Sequence, residues 1–238
     1  MLPGNFVPIL LVEEYVQFAL ENSGELVTLL IEHVFITAQT VAIAVPIAVT
    51  LGIAITYDDR AATVVLWLAG IAMTIPSLAA FGLLIPFLGI GSPPVVFTLV
   101  LYSQLPVIRN TYVGLTGIEE STIQAGRGLG MTRGQRLRRI QIPKALPIIL
   151  AGVRNAVVIV VGVAAVGAFI GAGGLGQLIF EGIRQADPVM TVVATIVVSA
   201  LALASDYGIA TVEQLLRIRN GEEINARMST RLVKRTLL

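Results

Sequence analysis

The stretch Ala61–Ile108, AATVVLWLAGIAMTIPSLAAFGLLIPFLGIGSPPVVFTLVLYSQLPVI, contains no Asp, Glu, Lys or Arg. As one α-helix it would extend about 72 Å, more than twice the ~30 Å hydrocarbon core of a bilayer. It therefore has to fold back on itself. Gly89-Ile90-Gly91-Ser92-Pro93-Pro94 is the place for the turn, because Gly and Pro end helices. The reading predicts spans near Ala61–Leu88 and Val95–Tyr112.

Working outward, His33–Tyr57 is also free of acids and bases and supplies a span that begins near Leu26. Asn155–Phe180 gives a fourth span, ending at the glycine-rich Gly171–Gly176, and Val189–Val212 a fifth. Composition agrees: of 238 residues 55% are hydrophobic and 13% charged, with mean hydropathy +0.86. Soluble domains carry about 25% charged residues. The predicted fold is an all-α polytopic membrane protein with five transmembrane helices. The N-terminal segment, residues 1–25, carries Glu13, Glu14 and Glu21 and is predicted to lie at the extracytoplasmic interface rather than to form a sixth span or a cleaved signal peptide. Residues 26–212 form the membrane domain and 213–238 a charged tail.

Basic residues orient the chain. Placing the loop after the third span in the cytoplasm puts Arg127, Arg133, Arg136, Arg138, Arg139 and Lys144 inside, with Arg60 and the tail residues Arg217, Arg219, Arg227, Arg231, Lys234 and Arg235. Arg109 and Arg154 then sit at inner helix ends, and Arg184 alone is left outside. The N-terminus is predicted out and the C-terminus in.

That loop, residues 114–147, has internal structure. Glu119, Glu120 and Ser121 suit a helix start, the glycines Gly126, Gly128 and Gly130 interrupt it, and Thr132 caps a second short helix through Arg139. Pro143 and Pro147 are predicted to close the loop before the next span. Two short helices pinned between two spans make a rigid cytoplasmic knob.

The knob's spacing resembles the signature of binding-protein-dependent ABC importer permeases: Glu-Ala-Ala, three residues, Gly, nine residues, Ile-x-Leu-Pro. Here it reads Gln124-Ala125-Gly126, Gly130, Ile140-Gln141-Ile142-Pro143, with Gln124, Gly126 and Ile142 departing from the pattern. The stretches Thr74–Gly91, Leu105–Leu115, Leu146–Ala156 and Phe169–Ile183 are similar to the glycine betaine/carnitine/choline branch, over about Glu32–Asp206. The resemblance implies a MetI-like permease fold and a role in moving a quaternary-amine osmoprotectant. The implied ATPase-coupling residues are Gln124, Ala125, Gly126, Gly130, Arg133, Ile140, Ile142 and Pro143. Implied partners are ABC ATPase subunits, a second permease chain in a homo- or heterodimer, and an extracytoplasmic substrate-binding protein, in a prokaryotic plasma (inner) membrane. In the family the Glu is implied to make a charge-assisted contact with the ATPase, which Gln124 replaces by a neutral hydrogen bond about half as strong. The readings set against this one are a permease for methionine or another amino acid and, from a different class, an ion channel or secondary transporter. The latter calls for intramembrane charge pairs or repeated broken helices.

The chain itself is predicted to do no chemistry. It has no cysteine and a single histidine, His33, so disulfides, thiolate metal sites and multi-histidine centres are excluded. No Gly-x-x-x-x-Gly-Lys-Ser/Thr run occurs, so ATP and Mg are expected on a partner, with no cofactor in this chain. Gly171-Ala172-Gly173-Gly174-Leu175-Gly176 matches the dinucleotide fingerprint, but a lipid-length apolar run precedes it. A re-entrant turn where backbones approach closely fits better. The basic cluster Arg133–Arg139 lies between two spans, which points to the lipid surface and the ATPase rather than to nucleic acid. Candidate pathway or gate residues are Pro76 and Ser77 at a kink, Asp206 as an acid inside an apolar segment, and Gly173 and Gly174. Glu32 and His33 are read as interfacial. With Trp67 the sole tryptophan, the spans present no obvious aromatic cage.

Overall fold

The computed structural model describes residues 7–221, and the described residues are helical with short connections. Ten α-helices follow in order: α1 Val7–Glu21, α2 Ser23–Ala54, α3 Asp59–Thr74, α4 Ser77–Leu88, α5 Ser92–Thr116, α6 Glu120–Gly128, α7 Arg133–Arg136, α8 Ile142–Gly167, α9 Gly176–Gln185 and α10 Pro188–Arg219. The tail residues Arg227, Arg231, Lys234 and Arg235 lie outside the described residues.

Among the described residues, three continuous helical stretches are long and apolar enough to cross a membrane: Ser23–Tyr57, Arg133–Ile170 and Pro188–Arg219. The pair α3 and α4 adds a fourth if counted as one bent span. The predicted span Ala61–Leu88 is thus not one helix: it breaks at Ile75-Pro76. Pro76 has ψ 132°, outside the helical range, and its carbonyl accepts the N–H of Ala80 at 3.0 Å to start α4. The turn between α4 and α5 falls where the glycines and prolines put it. Gly89 and Gly91 have φ +79° and +111°, and Pro93 and Pro94 sit in the first turn of α5, where a missing N–H costs nothing. Thr98, Ser103, Gln104 and Thr111 interrupt the apolar run of α5. All four are buried in protein.

The predicted fourth span, Asn155–Phe180, also differs. α8 begins at Ile142 and ends at Gly167, and a 3₁₀ turn, Ala168–Ile170, leads into the glycine turn. Phe180 belongs to the separate helix α9. Pro143 and Pro147 do not close the loop, since helix runs unbroken from Arg133 to Ile170. Before Pro143 the helix widens into a π-helical turn, Leu137–Gln141, whereas Pro147 sits inside ordinary α-helix, as Pro46, Pro86 and Pro106 do. Proline lacks an N–H and its ring presses on the carbonyl four residues back; a wider turn before Pro143 relieves both conflicts without ending the helix.

The chain divides into two compact units. The first comprises Met1–Val41, Ile75–Val100 and Ile159–Leu203. Its core packs Ile36, Phe81, Val95, Leu99, Val160 and Ala164. The second comprises Ala42–Thr74, Leu101–Val158 and Ala204–Leu238. Its core is built on small residues, Ala48, Ala62, Ala69 and Ala156, against Ile55, Val107 and Ile108. Small residues let helices approach closely, which is how helices pack when lipid supplies no hydrophobic drive between them. Large apolar side chains point outward instead, among them Phe87, Leu83, Leu203, Phe35 and Trp67. An apolar exterior of this extent needs lipid or a partner to cover it.

Candidate functional site

The knob is assembled by local chemistry. Glu119 stands at the N-cap of α6, and Leu129 ends the helix, its N–H reaching the carbonyl of Ala125 at 3.1 Å. Gly126 and Gly128 lie within the helix, so of the three glycines expected to interrupt it only Gly130, at φ +71°, does so. Thr132 then closes a capping box: Gln135 N–H donates to Thr132 Oγ1 at 3.3 Å, and Thr132 N–H donates to Gln135 Oε1 at 2.8 Å. Arg136 Nη1 donates to the Met131 carbonyl at 2.7 Å, tying the connection to the end of α7.

The signature residues sort into two groups. Gln124, Ala125, Gly130, Arg133 and Pro143 are exposed. Gly126 is buried, and a Cβ there would come within 2.9 Å of Ile140 Cδ1 and 3.1 Å of Arg136 Cδ. The glycine keeps α6 close against the side chains of Ile140 and Arg136. Ile142 packs on the cluster of Leu115, Ala145 and Ile149. Gly126, Ile140 and Ile142 therefore build the knob, while Gln124 and Ala125 present a surface. Leu129, 77% exposed at the knob's tip, belongs with that surface. The sequence reading passed over it, because a lone leucine after a helix carries no motif. The ion pair Arg127–Glu120, 3.6 Å and open to solvent, adds little.

The pathway candidates fall into separate settings. Pro76 and Ser77 form the α3–α4 break, Pro76 exposed and Ser77 half-buried. Gly173 and Gly174, at φ +88° and +78°, bring the glycine turn onto α2, where Gly174 N–H donates to Glu32 Oε2 at 2.9 Å. His33 lies on α2 beside Glu32. It is fully buried, with Nε2 3.0 Å from the carbonyl of Val161 and its ring against Gly174. A carbonyl can only accept, so Nε2 carries the proton. An apolar run gave no sign of this, because His33 finds its partner on a helix far along the chain.

Asp206 on α10 pairs with Arg154 on α8, Nε to Oδ1 3.3 Å. The network continues from Arg154 Nη1 to Glu213 Oε2 at 3.4 Å and from Glu213 Oε1 to Arg217 Nε at 3.1 Å. Asp206 is thus an acid packed between helices and paired with a base. Asp206 and Glu213 lie two helical turns apart, so they share a face of α10. Asn220 Nδ2 reaches the Pro143 carbonyl at 3.1 Å, a second tie from the end of α10 to the start of α8.

Membrane-length apolar helices, with a capped helical knob continuous with one of them, define a polytopic membrane protein. The chain belongs to the family of binding-protein-dependent transport system inner membrane components, whose model matches residues 44–218. It is 43% identical over 197 residues to the osmoprotectant import permease protein OsmW of Salmonella typhimurium, covering 81% of this chain and 92% of that protein. It is 37% identical over 201 residues to the choline transport system permease protein OpuBB of Bacillus subtilis, covering 84% and 93%. Among solved structures, an inward-facing form of the methionine ABC transporter MetNI matches with TM-score 0.71 at 21% identity, over 80% of this chain and 95% of that one. An amino acid ABC transporter with histidines matches with TM-score 0.66 at 19% identity, over 85% and 97%. The chain is an inner-membrane permease, and its fold is the one these importers share.

Proposed function

We propose that this permease forms half of the membrane path of an ATP-driven importer for a quaternary-amine osmoprotectant such as glycine betaine, carnitine or choline. Five spans serve it, α2, the bent pair α3 and α4, α5, α8 and α10, with the N-terminus out and the C-terminus in. α5, at 25 residues, extends about 37 Å and is long enough to cross despite its buried polar side chains. A second permease chain covers the apolar exterior that lipid does not. Two ATPase subunits bind and hydrolyse ATP with Mg below, and a substrate-binding protein delivers the solute from above.

The observation that carries this reading is mechanical. Helix is continuous from the knob at Arg133 through to Ile170, so a push on the knob falls on the end of a membrane-length helix. α6 is locked to that helix by the packing of Gly126 against Ile140, and Gln124, Ala125 and Leu129 are left free to meet the ATPase. The substrate class rests on the relatives' activities.

Uptake of labelled glycine betaine, carnitine and choline, in cells lacking other carriers and expressing the chain with its ATPase and binding protein, tests the proposal. ATP-dependent uptake of at least one is expected. Methionine uptake alone would favour the amino-acid reading, and uptake driven by an ion gradient without ATP would favour a secondary transporter. The contact at position 124 has its own test. Gln124→Glu makes the hydrogen bond to the ATPase charge-assisted, about twice as strong. Tighter ATPase association, by about fivefold, is expected on titration of the detergent-solubilised permease. Unchanged affinity and transport would remove any distinctive role for Gln124.

A further inference from the structure

A cleft of about 640 Å³ opens beside the glycine turn, lined by Phe169, Gln177, Phe180, Glu181, Ile183 and Arg184. Its size is that of a small-molecule site, for which about 300–1,000 Å³ is usual. Phe169 precedes the glycine turn and Phe180 follows it. Gly171, Gly173 and Gly174, all at positive φ, fold α9 back so that the two rings meet, centroids 5.5 Å apart and planes at 60°. Glu181 and Arg184 stand three residues apart on α9 and so share one face. Glu181 Oε1 accepts from Gln185 Nε2 at 2.9 Å, which holds the carboxylate in place. Arg184 makes no ion pair among the described residues, with Glu181 or with any other acid. It is also the one basic residue that the orientation leaves outside.

We propose that this cleft is a transit subsite on the permease for a zwitterion bearing a quaternary ammonium group, an inference that rests on the importer function above. A quaternary ammonium has no N–H to donate, so recognition falls to aromatic faces and a nearby negative charge. The Phe169–Phe180 pair and Glu181 supply these. The carboxylate at the other end of glycine betaine or carnitine needs a cationic donor, and guanidinium suits a carboxylate because its planar fork matches it with two parallel hydrogen bonds. Arg184 supplies that. Choline has the ammonium and no carboxylate, so the cleft separates the three solutes: Glu181 and the rings serve all, Arg184 only the zwitterions.

The test uses the complete transporter in proteoliposomes with its binding protein saturated by each solute in turn, so that solute capture is not limiting. Arg184→Gln is expected to lower the glycine betaine-to-choline and carnitine-to-choline rate ratios by about tenfold, the value of one charged hydrogen-bonding partner. Glu181→Gln keeps the bond to Gln185 and is expected to slow all three solutes alike. If the wild type carries only the zwitterions, Arg184→Lys supplies the contrast, and recovery of at least a third of the rate lost in Arg184→Gln is expected. Loss of all three solutes together on Arg184→Gln, no loss at all, no recovery with Lys in that case, or a wild type that carries only choline would overturn the subsite. A wild type that carries none of the three would overturn the importer reading itself, an outcome distinct from each of these.

Discussion

Gly176→Ala is expected to cost at least about 3 kcal/mol and to leave little monodisperse protein after extraction, the largest effect of a single methyl at any described glycine. Gly176 opens α9 and rests on the backbone of α8. A Cβ there would overlap the carbonyl oxygen of Ala165 and lie 2.7 Å from its carbonyl carbon and 2.9 Å from its Cα. Side-chain tips can swing away from an added methyl, but the main chain of a packed helix cannot. Overpacking a core usually costs about 1–3 kcal/mol, and a clash with fixed backbone belongs at or beyond the top of that range. The neighbours leave no room to retreat, since Leu175 and Leu178 are fully buried on either side of the contact. Gly162, also in α8, is the control: a Cβ there meets nothing within 4 Å, so Gly162→Ala is expected to be neutral or to gain up to about 1 kcal/mol of helix propensity. Thermal unfolding in detergent separates the two. Equal midpoints for Gly176→Ala and wild type would mean that α9 does not seat on α8 as described.

The glycine stretch shows how far local sequence reaches. That its residues permit close backbone approach followed from the sequence, because nothing else explains so many glycines after an apolar run. Which glycine makes the approach did not. Gly171, Gly173 and Gly174 are needed for positive φ, whereas Gly176 is needed for space, and the sequence does not distinguish these uses. Features fixed by neighbouring residues were legible: the Thr132 cap, the start of α6 and the Gly89–Pro94 turn, whereas at Pro76 a kink was expected and the helix instead ends. The knob's division into builders and presenters was not, because the burial of Gly126 depends on Ile140, fourteen residues on, lying over it. Pro143 misled for a related reason. Proline lacks an N–H and crowds the carbonyl four residues back, and the π turn at Leu137–Gln141 makes room for both at Pro143. The aromatic pair was invisible as well, since Phe169 and Phe180 become neighbours only once the glycine turn is formed.

Asp206 poses the same problem in electrostatic form, and its answer lies in Arg154. Arg154→Ala is expected to destabilise the protein by about 3 kcal/mol, the lower end of what removing one partner of a buried ion pair costs. The lower end applies because Arg217 still faces Glu213 after the change, and because the Arg154 side chain is itself 24% exposed. Most of the cost falls on Glu213, whose side chain is only 10% exposed and would keep one base where it had two. Asp206 is 37% exposed, so Asp206→Asn resembles the loss of a surface pair and is expected to cost no more than about 1 kcal/mol. The double variant Arg154→Met with Glu213→Leu removes base and acid together and is expected to recover most of the loss, as apolar replacement of buried pairs does. Unfolding midpoints of the three variants in one detergent give the ranking. If Arg154→Ala proves no worse than Asp206→Asn, the network holds nothing together at Glu213. Transport by Asp206→Asn then decides what the acid is for. Retained transport leaves Asp206 a structural partner of Arg154, whereas lost transport in a protein of near-native stability returns it to the solute path.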